Sequence, residues 1–368
     1  MPAPSSDAAT PGTTEPEGVT AGAVLRVIRR QLGYQQDIFA ELLGVDINTY
    51  RSWEHGRRPL SNIPMHKMHA LRRGLMRIGA EAQLIELLDT AVDVDISIGQ
   101  MLTGPGIPEH HPLASLVQTR MWHDLLAWDL AGNTPRALAA FGEVPAPRMS
   151  VPMRSQLINQ LRDTAEQAGD KADPASTLLR RQVYFVASWD KSGAGRDWLG
   201  RMERRELRRL RDVDGWTPSW VAGRSLAVAK AVAGDPEQLR RFIAHQLATD
   251  DQEVANLNYW ANWCGEDAQT AVSDEFMRTP DLGNWRGTEL LRQLADGLSP
   301  ANPYIDLTVH TVWALIKRRG SLLGDDPLLT QRLTARVQLL LDHPQSLSDQ
   351  ARRELDNITF GLTMRRTA

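Results

Sequence analysis

One recurrent signal constrains this chain more than any other: a helix-capping side chain set directly before a proline. It occurs at Thr134-Pro135, Asp173-Pro174, Thr217-Pro218, Asp235-Pro236 and Asp326-Pro327. A Thr or Asp oxygen accepts from the unsatisfied N–H groups of a first helical turn, and proline fits the first helical position. Ser346 with Asp349 reads as a further capping box. Between these marks lie amphipathic runs such as SLVQTRMWHDLLAWDLA, PASTLLRRQVYFVASWD and LTVHTVWALIKRRG, with the period of a helix whose one face is buried. Strand signals are few. The expected fold is all-α. No self-similar repeat stands out, so a helical bundle and an irregular α-solenoid both satisfy the pattern.

The 368 residues divide by composition into three parts. Residues 1–19 contain four prolines with little to bury, and predict a disordered arm. Residues 20–81 predict a compact five-helix domain with short turns. Its first helix runs from about Ala21 to Gln31, with Val24, Leu25, Ile28 and Leu32 on one face and Gly33 as stop. Gln36–Leu43, Ile47–Glu54 and a helix from Pro64 or Met65 to Ile78 follow. Residues 82–368 predict a large helical domain, with 103–112, TGPGIPEHHP, as its best hinge. Charge divides the same way: 21–80 hold ten basic residues against four acidic, within a chain of net charge −3. A locally basic segment in an acidic protein points to a polyanion-binding face. The single cysteine, Cys264, excludes an intrachain disulfide and a cysteine zinc site and fits a reducing cytosol. No long apolar run predicts a membrane span, and the N-terminus lacks the regions of a secretory signal. The expected location is cytoplasmic.

The most informative segment is GYQQDIFAELLGVDINTYRSWEHGRRP, residues 33–59. It reads as two helices joined by a tight turn. Ala40 is small where the helices must approach, and Gly44 stands where the turn needs a left-handed residue. Val45, Tyr50 and Trp53 continue the shared core, and Asp46 is placed to cap the second helix.

These residues resemble the helix-turn-helix of the phage-repressor (Cro) and xenobiotic-response-element regulators. Gln36 opens the first helix, Phe39-Ala40 is its middle, Leu43-Gly44-Val45 the turn, and Trp53-Glu54-His55-Gly56 with Pro59-Leu60 the end. The resemblance covers about 60 residues; Gln35 departs from it, where the family more often has a capping Ser. It implies a regulator that binds double-stranded DNA as a homodimer, with Ile47–Glu54 entering the major groove. Ile47, Asn48, Arg51 and Ser52 then face base edges. Asn suits adenine and Arg guanine. Gln36, His55, Arg57 and Arg58 are placed to hold phosphates, which carry affinity more than specificity. Residues 255–266, ANLNYWANWCGE, resemble a Tyr-Trp-Ala-x-Trp-x-Gly-Glu segment in the helical C-terminal regions of such regulators from high-GC bacteria.

The remaining constellations read as ordinary structure. His66 and His69 lack a third ligand, and they, Glu109, His110 and His111 are expected at the surface, so no metal site is predicted. RMERRELRRLR, 201–211, reads as ion pairs on a solvated face, or as a second phosphate-contacting face. Most of the eleven tryptophans, among them Trp122, Trp128, Trp189, Trp260, Trp263 and Trp313, read as core, with walls of a ligand pocket as the alternative. No Gly-rich phosphate loop or hydrolase motif is present; neither catalytic residues nor a cofactor are expected. The reading is a sequence-specific transcriptional regulator whose helical C-terminal domain dimerises and senses a small-molecule or protein effector. The alternative is an antitoxin-like interaction module for which DNA binding is secondary.

Overall fold

The structure, a computed structural model, describes residues 18–366 apart from 104–107, 143, 148, 170, 172, 211–214, 268–269, 281 and 283–284. Among the described residues every regular element is helical. The α-helices are α1 Val19–Gln31, α2 Gln36–Leu43, α3 Ile47–Glu54, α4 Met65–Arg77, α5 Ala82–Thr103, α6 Pro112–Ser115, α7 Arg120–Ala131, α8 Val151–Gln167 and α9 Pro174–Ala187. They continue as α10 Gly193–Leu210, α11 Pro218–Val232, α12 Glu237–Gln246, α13 Asp250–Trp263, α14 Thr288–Gly297, α15 Ile305–Arg318, α16 Leu322–Asp325, α17 Pro327–Leu341 and α18 Asp349–Arg366. No helix of the described residues is long and apolar enough to cross a membrane.

The chain forms two compact units: residues up to Gly99 with 136–148, and 100–135 with 149 onward. The first unit thus runs past the expected boundary at residue 81, because α5 completes α1. The N-terminus of α1 has no side-chain cap of its own, since Gly18 precedes it. Asp95 of α5 supplies one: its carboxylate accepts from Thr20 N at 3.1 Å, Thr20 Oγ1 at 2.6 Å and Ala21 N at 3.0 Å. Arg72 of α4 also pairs with Asp89 of α5 at 2.9 Å. Residues 136–148 belong here too, with Phe141 and Val144 lining a cleft of about 330 Å³ beside Ala23 and Val27 of α1. The Thr134-Pro135 signal leads only into a 3-10 helix, Arg136–Phe141. Most of the expected arm, residues 1–17, lies outside the described residues. Gly18 and Val19 are not arm: Gly18 N donates to Gly56 O at 3.3 Å, and Val19 opens α1.

In the second unit Asp173, Thr217 and Asp326 cap α9, α11 and α17 through Ser176 N, Trp220 N and Leu329 N. Asp235 stands one residue further out: Pro236, itself helical, is the residue before α12, and Asp235 Oδ1 accepts from Glu237 N at 3.4 Å rather than from a residue three further on. The expected Ser346 box is also displaced. Ser346 Oγ donates to His343 O at 2.9 Å, and Ser348 instead caps α18 through Ala351 N at 3.2 Å. Packing runs mainly between near neighbours in the chain. α9 lies on α8 and α11, α11 on α10 and α12, α15 on α12, α13, α14 and α18, and α17 on α14 and α18. α13 is buried on nearly every side, so its polar side chains need partners. Asn256 donates to Thr311 Oγ1 at 3.1 Å, and Asn258 to the carbonyls of Met277 and Thr279.

Candidate nucleic-acid interface

Local chemistry builds the α2–turn–α3 element. Gly44 ends α2 in the left-handed region at φ 68°, where a Cβ costs roughly 1 kcal/mol or more. Asp46 then caps α3, accepting from Asn48 N at 2.9 Å and Thr49 N at 3.1 Å. Phe39, Ala40, Tyr50 and Trp53 are buried, and the Phe39 and Tyr50 rings meet edge-on at 5.4 Å. α1 crosses α3 at Gly22, where a Cβ would fall 2.5 Å from Trp53 O. α2 has no side-chain cap at Gln35, as the departure from the family pattern suggests.

The centre of this element is Glu54, whose carboxylate is 1 % exposed. It accepts from Arg29 Nε at 2.6 Å, Tyr50 Oη at 2.5 Å and Gln36 Nε2 at 2.6 Å. One carboxylate thereby ties α1, α2 and α3 together. Burial alone would raise its pKa, but the bonds from Arg29, Tyr50 and Gln36 outweigh it and hold the group below its ordinary value. Burial and the same carboxylate push the Tyr50 hydroxyl up. Arg26 adds a bond to Glu54 O at 2.8 Å, satisfying a carbonyl at the C-terminus of α3.

The base-facing candidates lie on one helix but differ in freedom. Asn48 and Arg51 are exposed, Ile47 and Ser52 half-buried. The Ser52 hydroxyl donates to Asn48 O at 2.7 Å, so as a donor it is already engaged. Arg57 and Arg58 are exposed just beyond α3, and neither they nor Arg51 pair with a carboxylate among the described residues. His55 is exposed with Nδ1 2.7 Å from Arg51 O, leaving Nε2 outward. Gln36 differs from expectation: its side-chain amide is turned inward onto Glu54.

His66, His69 and His110 are exposed as expected. His111 is not: it is buried, its Nδ1 accepts from Leu113 N at 3.2 Å, and burial lowers its pKa to about 4. Within 201–210, Glu206 is buried rather than solvated. It accepts from Tyr184 Oη at 2.7 Å and Arg209 Nη1 at 2.9 Å; Arg211 lies outside the described residues. Among the described residues no three His, Cys, Asp or Glu side chains gather as a metal site would require. Tyr259, Trp260 and Trp263 of the aromatic run line a cavity. Glu266 caps α14 by accepting from Gly287 N and Leu290 N, and Cys264 is buried.

Glu54 and Arg224 both escape a linear reading. Glu54 is visible in the Trp-Glu-x-Gly pattern, but its role is not. The available signal was Tyr50, four residues earlier on the same face. Arg224 stands in the apolar run WVAGRSLAVAKAV, where an isolated charge announces either a partner or a ligand. No family model, curated protein or solved structure matches the chain.

Proposed function

We propose that the chain is a sequence-specific DNA-binding transcriptional regulator. Its first unit reads DNA through α3, and its second dimerises and senses an effector. The observation that carries this reading is the contrast between the two faces of α3. Tyr50, Trp53 and Glu54 are buried, Tyr50 and Glu54 bonded to each other, whereas Asn48 and Arg51 are exposed, beside Arg57 and Arg58, which pair with no carboxylate among the described residues. A helix fixed so firmly on one side while presenting amide and guanidinium groups on the other suits major-groove readout. Dimerisation finds support in the outward apolar side chains of the second unit, Leu328 on α17 and Phe360 and Met364 one turn apart on α18.

Selection of bound sequences from a random duplex library with the full chain tests the reading. A two-fold symmetric consensus supports it, and enrichment of none overturns it. The alternative, a protein-interaction module, is favoured by Ile38 and Leu42, exposed one turn apart on α2. Substituting both with Ser leaves DNA selection unchanged if α2 only supports α3.

A further inference from the structure

In the second unit α7, α9, α11 and α13 converge on a cavity of about 30 Å³, with His123, Arg181, Arg224, Trp260 and Trp263 among its walls. Two guanidinium groups are therefore buried side by side. Arg181 is neutralised, holding Asp274 through Nε at 2.9 Å and Nη2 at 2.6 Å. Arg224 is not. It is 2 % exposed, its Nε donates to the neutral Asn256 Oδ1 at 2.9 Å, and its Nη2 has no hydrogen-bond partner among the described residues. Its guanidinium lies 3.9 Å from the centroid of the Tyr259 ring and 5.7 Å from that of Trp260. Asn256 is held in turn by Thr311, so the guanidinium plane is fixed.

His123 adds no compensating or competing charge. Its Nδ1 lies 3.0 Å from Thr119 O, and burial lowers its pKa to about 3, so it is neutral at physiological pH. Burial also lowers the Arg224 pKa, to about 10, which still leaves it charged. Burying an unpaired ion carries a desolvation cost that aromatic faces offset only in part. The missing component is an anion.

The cavity is too small for a whole metabolite but has room for a compact group. Phe185 and Tyr304 line it and also line a second cleft of about 810 Å³, walled by Ile158, Trp189 and Lys191 among others. Both side chains are only partly buried. We infer that the second unit binds an organic carboxylate, with the carboxylate on Arg224 and the apolar body passing Phe185 and Tyr304 into the larger cleft. This rests on the reading of that unit as a sensor and names its ligand class. A planar carboxylate matches the guanidinium fork, and the aromatic walls suit an unsaturated or ring-bearing body.

The test uses the full chain with sodium acetate, benzoate and octanoate, against sodium chloride at equal ionic strength and the methyl esters of benzoate and octanoate. Thermal melting and calorimetric titration are the readouts. At least one carboxylate is expected to raise the melting temperature above the chloride control while its ester does not. Arg224→Met, an apolar replacement of similar length that removes the unpaired charge, is expected to fold at least as stably and to weaken that binding at least roughly tenfold. The inference is overturned if no carboxylate exceeds chloride, if acid and ester bind alike, or if Arg224→Met binds as wild type does. DNA selection on the same preparations separates the two claims. Acid binding without a DNA consensus removes the regulator reading and leaves the pocket, and the reverse removes the pocket alone.

Discussion

Replacing Glu54 by Gln tests the account of the first unit most directly, since it changes one atom type and one charge at almost constant volume. The wild-type carboxylate accepts from Arg29, Tyr50 and Gln36. The amide keeps one acceptor oxygen and presents an NH2 group from which the Tyr50 hydroxyl can accept but the Arg29 guanidinium, a donor only, cannot. Removing one partner of a buried ion pair costs about 3–5 kcal/mol. The lower end applies here, because the Arg29 side chain is 10 % exposed and its Nη1 keeps a bond to Tyr34 O at 2.8 Å. At 1.4 kcal/mol per factor of ten, a loss of about 3 kcal/mol accelerates amide exchange in α1 and α3 roughly a hundredfold. Hydrogen–deuterium exchange of the full chain, read by mass spectrometry, measures this segment by segment. Peptides of α15 and α18, in the other unit, serve as the internal control. A pH series sharpens the test. The folded pKa of Glu54 is lowered from its ordinary value of 4.5, so its stabilisation is complete above that value and is lost as pH falls through the folded pKa. The Gln variant lacks this acid-dependent component. Protection of α1 and α3 within threefold of wild type at neutral pH would refute the claim that Glu54 organises the three helices.

Asp95 titrates in the opposite sense: burial raises its pKa from 3.8 to about 6 despite the bonds from Thr20 and Ala21. Its contribution to stability therefore falls as pH rises between those two values, and Asp95→Asn should abolish that slope in exchange of the α1 N-terminus; an unchanged slope rejects the assignment. Arg57→Ala with Arg58→Ala should weaken cognate and unrelated DNA alike and lower the salt dependence, by about 0.9 in log K per log salt for each lost phosphate contact, as measured by fluorescence anisotropy. Asn48→Ala or Arg51→Ala should instead cost about 1–3 kcal/mol on the selected sequence alone, and equal losses on every sequence would contradict the proposed readout. Light scattering of the full chain should give a dimer that Phe360→Asp weakens; a monomeric wild type removes dimerisation.

What was legible in the sequence was local. Asp46, Asp173, Thr217 and Asp326 act within three residues of their own position, and the α2 and α3 limits follow from Gly44, Asp46 and Gly56, so a linear reading reaches them. What was illegible depends on distant partners. Asp95 caps a helix 75 residues earlier in the chain, so the boundary drawn at residue 81 cuts between a helix and its cap. Residues 136–148 return to α1 after an excursion through the second unit, and nothing in their composition marks the return. The resemblance makes Gln36, which opens α2, a phosphate holder. The buried carboxylate that claims its amide is eighteen residues away. Ser346 and Ser348 differ only in register, and two residues of displacement lie within the usual uncertainty of a helix end.

Two of the buried charges, Glu54 and Arg224, differ in a way that separates architecture from ligand binding. Around Glu54 the charge is closed. Arg29 balances it, Tyr50 and Gln36 complete its shell, and the group needs nothing from outside. Such a network adds a polar tie between three helices that already share the apolar contacts of Ile28, Phe39, Tyr50 and Trp53. Around Arg224 the charge is open. One side of the guanidinium is held by Asn256 and the Tyr259 ring, the other has a donor without an acceptor, and the neighbouring carboxylate, Asp274, is already bonded to Arg181. Architecture alone would have favoured an apolar residue in that stretch of α11, since a well-packed side chain of equal volume avoids the desolvation penalty. The two sites therefore predict opposite outcomes for analogous substitutions. Neutralising Glu54 should unsettle its unit in the absence of any ligand, whereas neutralising Arg224 should leave its unit as stable as before and abolish only the response to a carboxylate. Equal destabilisation by Glu54→Gln and Arg224→Met would make both charges structural and leave the cavity without a ligand.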